Sequence, residues 1–337
     1  MLVREFAFDK CSADPMNNEI SGDNFGSKPI VDGINQTPAL AVLALLASAA
    51  LWGISWYPFR LLAASGVSGV WAIIATELIA AVLCLIVFWP QLVSGCNRVA
   101  PAQAIDARHA FVTLALIGFL GGATNTGFIL ATLHGNVLRA TLLLYLAPLW
   151  TLFLARWLLK EPITSSGVGV VLMALGGAAV MLGSTALHGG LSIGDGLGLI
   201  AGISYAAYNV SVRHAEHIPQ AQKTLAAALG SAATAALALP FYGAQGWPSS
   251  LSLATWILLL GTAILLVLVV SLMQYGLMRV SATRAIVILV SELIFAAGSA
   301  WWLAGEIPGT REFIGGALII SASLIAAGIG RHEEKIA

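Results

Sequence analysis

Residues 139–161 read RATLLLYLAPLWTLFLARWLLKE, and residues 284–306 read RAIVILVSELIFAAGSAWWLAGE. Set 145 positions apart (284 minus 139), they align Arg139-Ala140 with Arg284-Ala285, Trp157-Leu158 with Trp302-Leu303, and Glu161 with Glu306. Each stretch is an apolar run long enough to cross the roughly 30 Å hydrocarbon core of a bilayer as a helix. A second echo lies upstream, where Gly53-Ile54-Ser55-Trp56 recurs as Gly202-Ile203-Ser204-Tyr205. Several matches in the same order point to a duplication.

The rest of the chain is of the same kind. Of its 337 residues, 58% are apolar and 9% charged, with a mean hydropathy of +0.89. Soluble domains carry about 25% charged residues, so this composition excludes a soluble enzyme, a disordered chain and a disulfide scaffold. Sixteen Lys and Arg balance sixteen Asp and Glu, which leaves no basic field for nucleic acid. Cys11, Cys84 and Cys96 form no CxxC or Cys/His cluster, so neither a disulfide framework nor a metal site is expected. No Walker A, HExxH or GxSxG motif is present. Gly194-Asp195-Gly196-Leu197-Gly198 follows no strand and opens an apolar helix, unlike a nucleotide loop. No cofactor is expected.

Ten stretches qualify as spans: 39–61, 68–89, 111–131, 137–158, 166–184, 194–212, 223–243, 252–277, 283–303 and 312–330. The runs are unbroken rather than alternating, which argues against a barrel, and a backbone without water satisfies itself as helix. The expected fold is an all-α integral membrane protein. Its ten transmembrane helices form two five-helix repeats, 37–185 and 186–331, flanked by a disordered cytoplasmic tail at 1–36 and a short tail at 332–337. Five is odd, so the second copy enters the membrane from the opposite side. Inverted repeats are a transporter design, with solute held near the midplane between the halves. With the amino terminus inside, the outer segments hold only Arg60, Arg139 and Arg311, and the other thirteen of sixteen Lys and Arg fall inside. The positive-inside rule therefore predicts both termini in the cytoplasm.

Glu292 lies in the middle of the ninth span, where a carboxylate costs several kcal/mol, of the order of 3, unless paired, wet or protonated. It is a candidate for binding an ammonium group or a proton. The 145 offset matches it to Ala147, beside Pro148, which is expected to kink the fourth span. Glu77 stands in the second span and either pairs with a cation such as Arg60 or Arg139 or carries a proton. Trp52 and Trp56 are spaced to share a helix face, as are Tyr205 and Tyr208, with Asn209 beside them. Asn125, Tyr145, Gln274 and Tyr275 add polar and aromatic groups in other spans. Aromatic walls with a few amides and hydroxyls suit a small amphipathic ligand. They serve equally for hydrogen bonding between packed helices. Gly118-Phe119-Leu120-Gly121-Gly122 and Gly198-Leu199-Ile200-Ala201-Gly202 are GxxxG matches that predict close helix contact.

The sequence resembles the drug/metabolite transporter superfamily, EamA-type. The resemblance runs over about 38–330 and is carried by several short motifs. These are Leu51-Trp52-Gly53, Tyr145-Leu146-Ala147-Pro148-Leu149, Leu158-Leu159-Lys160-Glu161, Ile203-Ser204-Tyr205-Ala206 and Ala304-Gly305-Glu306. It implies a permease without an ATPase domain, commonly an exporter of amino acids or other small metabolites, with the aromatic amino-acid exporters as near neighbours. Family members often carry Arg where this chain has Glu77, and Pro where it reads Ser291-Glu292-Leu293. The resulting expectation is an inner-membrane exporter of a small metabolite, working by alternating access, with proton coupling open and the protein either monomer or homodimer. A multidrug or nucleotide-sugar-like permease is the rival within transport. A lipid-modifying intramembrane enzyme is the rival outside it.

Overall fold

The computed structural model describes residues 38–97, 107–154, 165–188, 192–215, 218–242, 246–277 and 282–334. The expected N-terminal tail lies outside these residues. Twelve helices follow in order: α1 (Pro38–Ile54), α2 (Trp56–Ala64), α3 (Gly69–Asn97), α4 (Ala107–His134), α5 (Val137–Leu144), α6 (Ala147–Leu154), α7 (Ser165–His188), α8 (Ile193–His214), α9 (Gln220–Tyr242), α10 (Leu253–Leu277), α11 (Ala282–Ala304) and α12 (Thr310–Glu334). No strand occurs among the described residues. Two pairs are single spans that break: α1–α2 form the first and α5–α6 the fourth, so twelve helices make the ten expected spans. The last helix runs to Glu334, past the boundary expected at 331.

The two breaks have different causes. At Ser55 the amide bonds to Trp52 O at 3.0 Å, a tighter turn than the α-helix makes. At Tyr145–Leu146 the Leu146 amide bonds to Leu143 O at 3.2 Å before α6 begins. Pro148 follows in the first turn of α6, where a residue without an N–H is tolerated because that donor has no helical partner anyway. Elsewhere local chemistry starts the helices. Asn136 accepts the Arg139 amide at 2.9 Å ahead of α5. Ser192 and Asp195 exchange reciprocal 3.0 Å bonds ahead of α8, a capping box.

Ala39–Ala64, Gly69–Pro90, Arg108–His134, Gln220–Tyr242 and Leu253–Met273 are long and apolar enough to cross a bilayer. Ile86, Phe111, Leu172, Leu237 and Ile294 face outward, which is tolerable where the surroundings are acyl chains. Trp71 meets Trp247 edge-on, and Trp247 meets Trp256 at a tilt of 52°. Trp301 and Trp302 are exposed at the same end of the molecule, a belt of indoles suited to a headgroup interface.

The main packing partners obey a simple rule. The fifth span packs on the tenth (α7 on α12), and the second on the seventh (α3 on α9). The third packs on the sixth and seventh (α4 on α8 and α9), as the eighth packs on the first and second (α10 on α1 and α3). The fourth packs on the sixth (α5 and α6 on α8), as the ninth packs on the first (α11 on α1). Exchanging the two halves leaves these principal pairings unchanged. The halves thus interlock rather than sit side by side, and one buried cluster draws Phe59, Ile73 and Phe128 from the first half together with Ala201, Ala235 and Leu259 from the second.

Candidate functional site

Glu292 sits in the middle of α11. Its carboxylate accepts a hydrogen bond from the Tyr145 hydroxyl. Tyr145 reaches it because the chain leaves the helix at that point, between α5 and α6. From α8, Tyr205 lies within electrostatic reach of the same carboxylate, bonds the Asn209 side chain one turn on, and has Tyr208 beside it. Tyr205 leaves 40% of its surface uncovered. Glu292 is itself half-buried. One carboxylate, phenolic hydroxyls, an amide and aromatic faces thus meet where elements of both halves converge. This set can take an ammonium group on the carboxylate and an apolar body against the rings.

Glu77 occupies a different place. It is buried in α3, and its Oε1 accepts a bond from Asn125 Nδ2 of α4 at 2.5 Å. The same nitrogen lies 3.4 Å from Ser231 Oγ of α9, and the Thr126 and Thr234 hydroxyls meet at 3.0 Å. The cluster stitches α3, α4 and α9 together. The expected pairing of Glu77 with Arg60 or Arg139 does not occur: Arg60 pairs with Glu306 at 3.1 Å and Arg139 with Glu312 at 3.0 Å. The reason is depth. Both arginines sit at span ends, whereas Glu77 lies two turns into its helix, about 12 Å along at 1.5 Å per residue. Asn125 thus belongs with Glu77, apart from Glu292 and its tyrosines.

Trp52 and Trp56 do not share a face as expected. Trp52 packs in the large cluster around Phe59 while Trp56 joins Val137 and Ala300. The Trp56 indole N–H donates to Ser299 Oγ at 3.0 Å and to Gly53 O at 3.1 Å. Tyr275 is half-buried near the end of α10, and the side chains of Gln274 and Pro148 lie outside the described residues. Ser231, Ser299, Arg60 and Glu306 gain roles that the sequence reading had not given them. A signal existed for one: Ser299 stands seven residues beyond Glu292 in α11, a spacing that keeps one helical face. Among the described residues no group of His, Cys, Asp and Glu is placed to hold a metal.

Set against known proteins, the model of the EamA-like transporter family matches residues 39–183 and, a second time, residues 192–328. No curated protein matches the sequence. Among solved structures, a crystal structure described only as that of a protein is similar at 19% identity and a TM-score of 0.52, the match covering 88% of this chain and 100% of the other. At that identity the likeness shows a shared fold.

Proposed function

Matched twice by one family model over most of its length, the chain belongs to the EamA-like transporter family, and on that premise we propose that it exports a small amine-bearing metabolite, of the amino-acid class, across the inner membrane. The family places it among multi-pass membrane proteins that move small solutes rather than transform them. Alternating access between the two inverted repeats is the mechanism such architecture supports. Both termini lie in the cytoplasm in this reading, as the distribution of Lys and Arg requires.

The observation that carries the proposal is the half-buried Glu292 carboxylate, faced by Tyr145 from one repeat and Tyr205 from the other. No cation among the described residues lies within ion-pair distance of Glu292. A solute ammonium supplies the missing partner, the rings cover its apolar portion, and a proton takes its place when it leaves. Exchange of solute for proton follows from that competition for one carboxylate.

The test is flux in proteoliposomes. Purified protein is loaded with radiolabelled aromatic and aliphatic amino acids, nucleosides and organic cations in turn, and efflux is followed with and without a pH gradient. Efflux of at least one amine-bearing solute is expected, and Glu292→Gln should abolish it at matched protein levels. Movement confined to solutes without an amine, or wild-type rates in Glu292→Gln, would refute the assignment.

A further inference from the structure

Glu292 and Ser299 stand two helical turns apart in α11, Glu306 follows just past its end, and each reaches across to the opposite repeat. Glu292 takes the Tyr145 hydroxyl. Ser299 Oγ donates to Gly53 O at 2.8 Å and accepts the Trp56 indole N–H. Glu306 lies just beyond α11, at a turn made by Gly305 with φ of 67°, and its amide returns to Ala300 O at 3.1 Å. That turn aims the Glu306 carboxylate back into the bundle. Oε1 takes Arg60 Nη2 at 3.1 Å, and Oε2 takes the Val137 and Leu138 amides at 2.9 and 3.4 Å, at the positive end of α5.

Arg60 is fully engaged. It donates to Thr132 O at 2.8 Å and Gly135 O at 3.3 Å, and its guanidinium stacks over the Trp56 ring at 4.8 Å. Gly135 in turn abuts Gly194 at the start of α8 so closely that a Cβ on Gly194 would fall 2.7 Å from Gly135 Cα. Arg139, one residue past Leu138, holds Glu312 of α12 through Nε and Nη2 at 3.2 and 3.0 Å. The contacts of Ser299, Glu306, Glu312 and Gly194 join the two repeats, while Thr132, Gly135 and Trp56 hold Arg60 within the first.

We propose that Arg60–Glu306, with Arg139–Glu312 at its flank and the Trp56–Ser299 layer beneath it, is the outer gate of the transport path, held closed in this structure. The inference rests on the alternating-access reading. The solute on Glu292 leaves outward only when Glu306 releases both Arg60 and the first amides of α5, and the second layer, Trp56 on Ser299, then parts. A charge-assisted contact between repeats is suited to this work, since it is specific in register and can be made and broken without exposing a large apolar surface.

The test needs no solute. Cys11, Cys84 and Cys96 are replaced by Ser, a single reporter is introduced as Ser299→Cys, and a membrane-impermeant maleimide is applied to spheroplasts. The reporter should react slowly with the gate intact, and about tenfold or more faster in Glu306→Gln, which keeps an acceptor for the α5 amides but loses the ion pair. Should Glu306→Gln not yield monodisperse protein, Arg60→Lys keeps the charge, loses the forked contact with Thr132 and Gly135, and should still speed labelling. Parent rates in every variant would overturn the gate, and so would acceleration seen only in inside-out vesicles. A protein that gates but moves no amine would instead count against the proposed solute.

Discussion

Glu77 and Glu292 both lie deep within spans of this protein, and their surroundings set them different tasks. Glu77 has a dedicated donor in Asn125 and sits in a knot of side-chain bonds among three helices. Removing that donor leaves a buried acceptor unsatisfied, at a cost of about 1–3 kcal/mol. Asn125→Ala should therefore lower the thermal midpoint in detergent, whereas Glu77→Gln, which keeps an oxygen for Asn125, should shift it much less. Glu292 is only half-buried and has the Tyr145 hydroxyl as its partner, so Glu292→Gln should leave the midpoint near that of the parent while export fails. A thermal-shift series on the three variants checks the contrast. A fall in Glu292→Gln as large as in Asn125→Ala would make Glu292 a packing residue. That both glutamates matter was legible in the sequence, because a charge inside a span is costly wherever it lies. Which partner each finds was not, because the partners sit on other helices: Asn125 is 48 positions from Glu77.

Between helices, glycine sets the distance. α4 and α9 touch through Gly118, Gly122 and Gly230, and a Cβ on Gly230 would come within 1.9 Å of Gly118 O. Nothing but backbone stands there, so no side chain can swing aside. Gly230→Ala should force the helices apart and destabilise the protein by about 1–3 kcal/mol or more, while Gly261→Ala, with open space around its Cβ position, should be tolerated. Unfolding of both variants under matched detergent decides it, and equal midpoints would show that the contact yields easily. The Gly118–Gly122 spacing announced this approach in the sequence, and Pro148 announced an interruption in the fourth span. The break at Ser55 had no such announcement. Ser is compatible with a helix, and Ser55 itself keeps helical angles of φ −61° and ψ −21°. The turn tightens there through Trp52 O, and Trp52 and Trp56 enter separate clusters on either side of it.

At the scale of the molecule, exchange symmetry links the fold to the proposed function. Because the principal helix pairings survive a swap of the halves, a shape reached by tilting one repeat has a mirror partner reached by tilting the other. The Arg60–Glu306 contact, 246 residues apart in sequence, exists only because the repeats interlock, and no local pattern could have disclosed it. The duplication itself was legible, since it left matching residues at a constant offset. An odd number of spans per unit then makes a demand that can be checked directly. Both termini must lie on one face, and successive loops must alternate. A reporter active only outside the cytoplasm should be silent when fused after Ala337, active when inserted after Gly246, between the seventh and eighth spans, and active after Gly66, between the first and second. Adding lysines beside Gly66 works against the positive-inside bias and should reduce insertion without reversing the interior loops, because thirteen of the sixteen native cations already favour the inner face. If the reporter is active after Ala337 and silent after Gly66, the orientation is reversed and the gate faces inward. If it is active after both Ala337 and Gly66, the number of spans between them is even rather than odd, the two units cannot be inverted copies, and the shared solute site loses its basis.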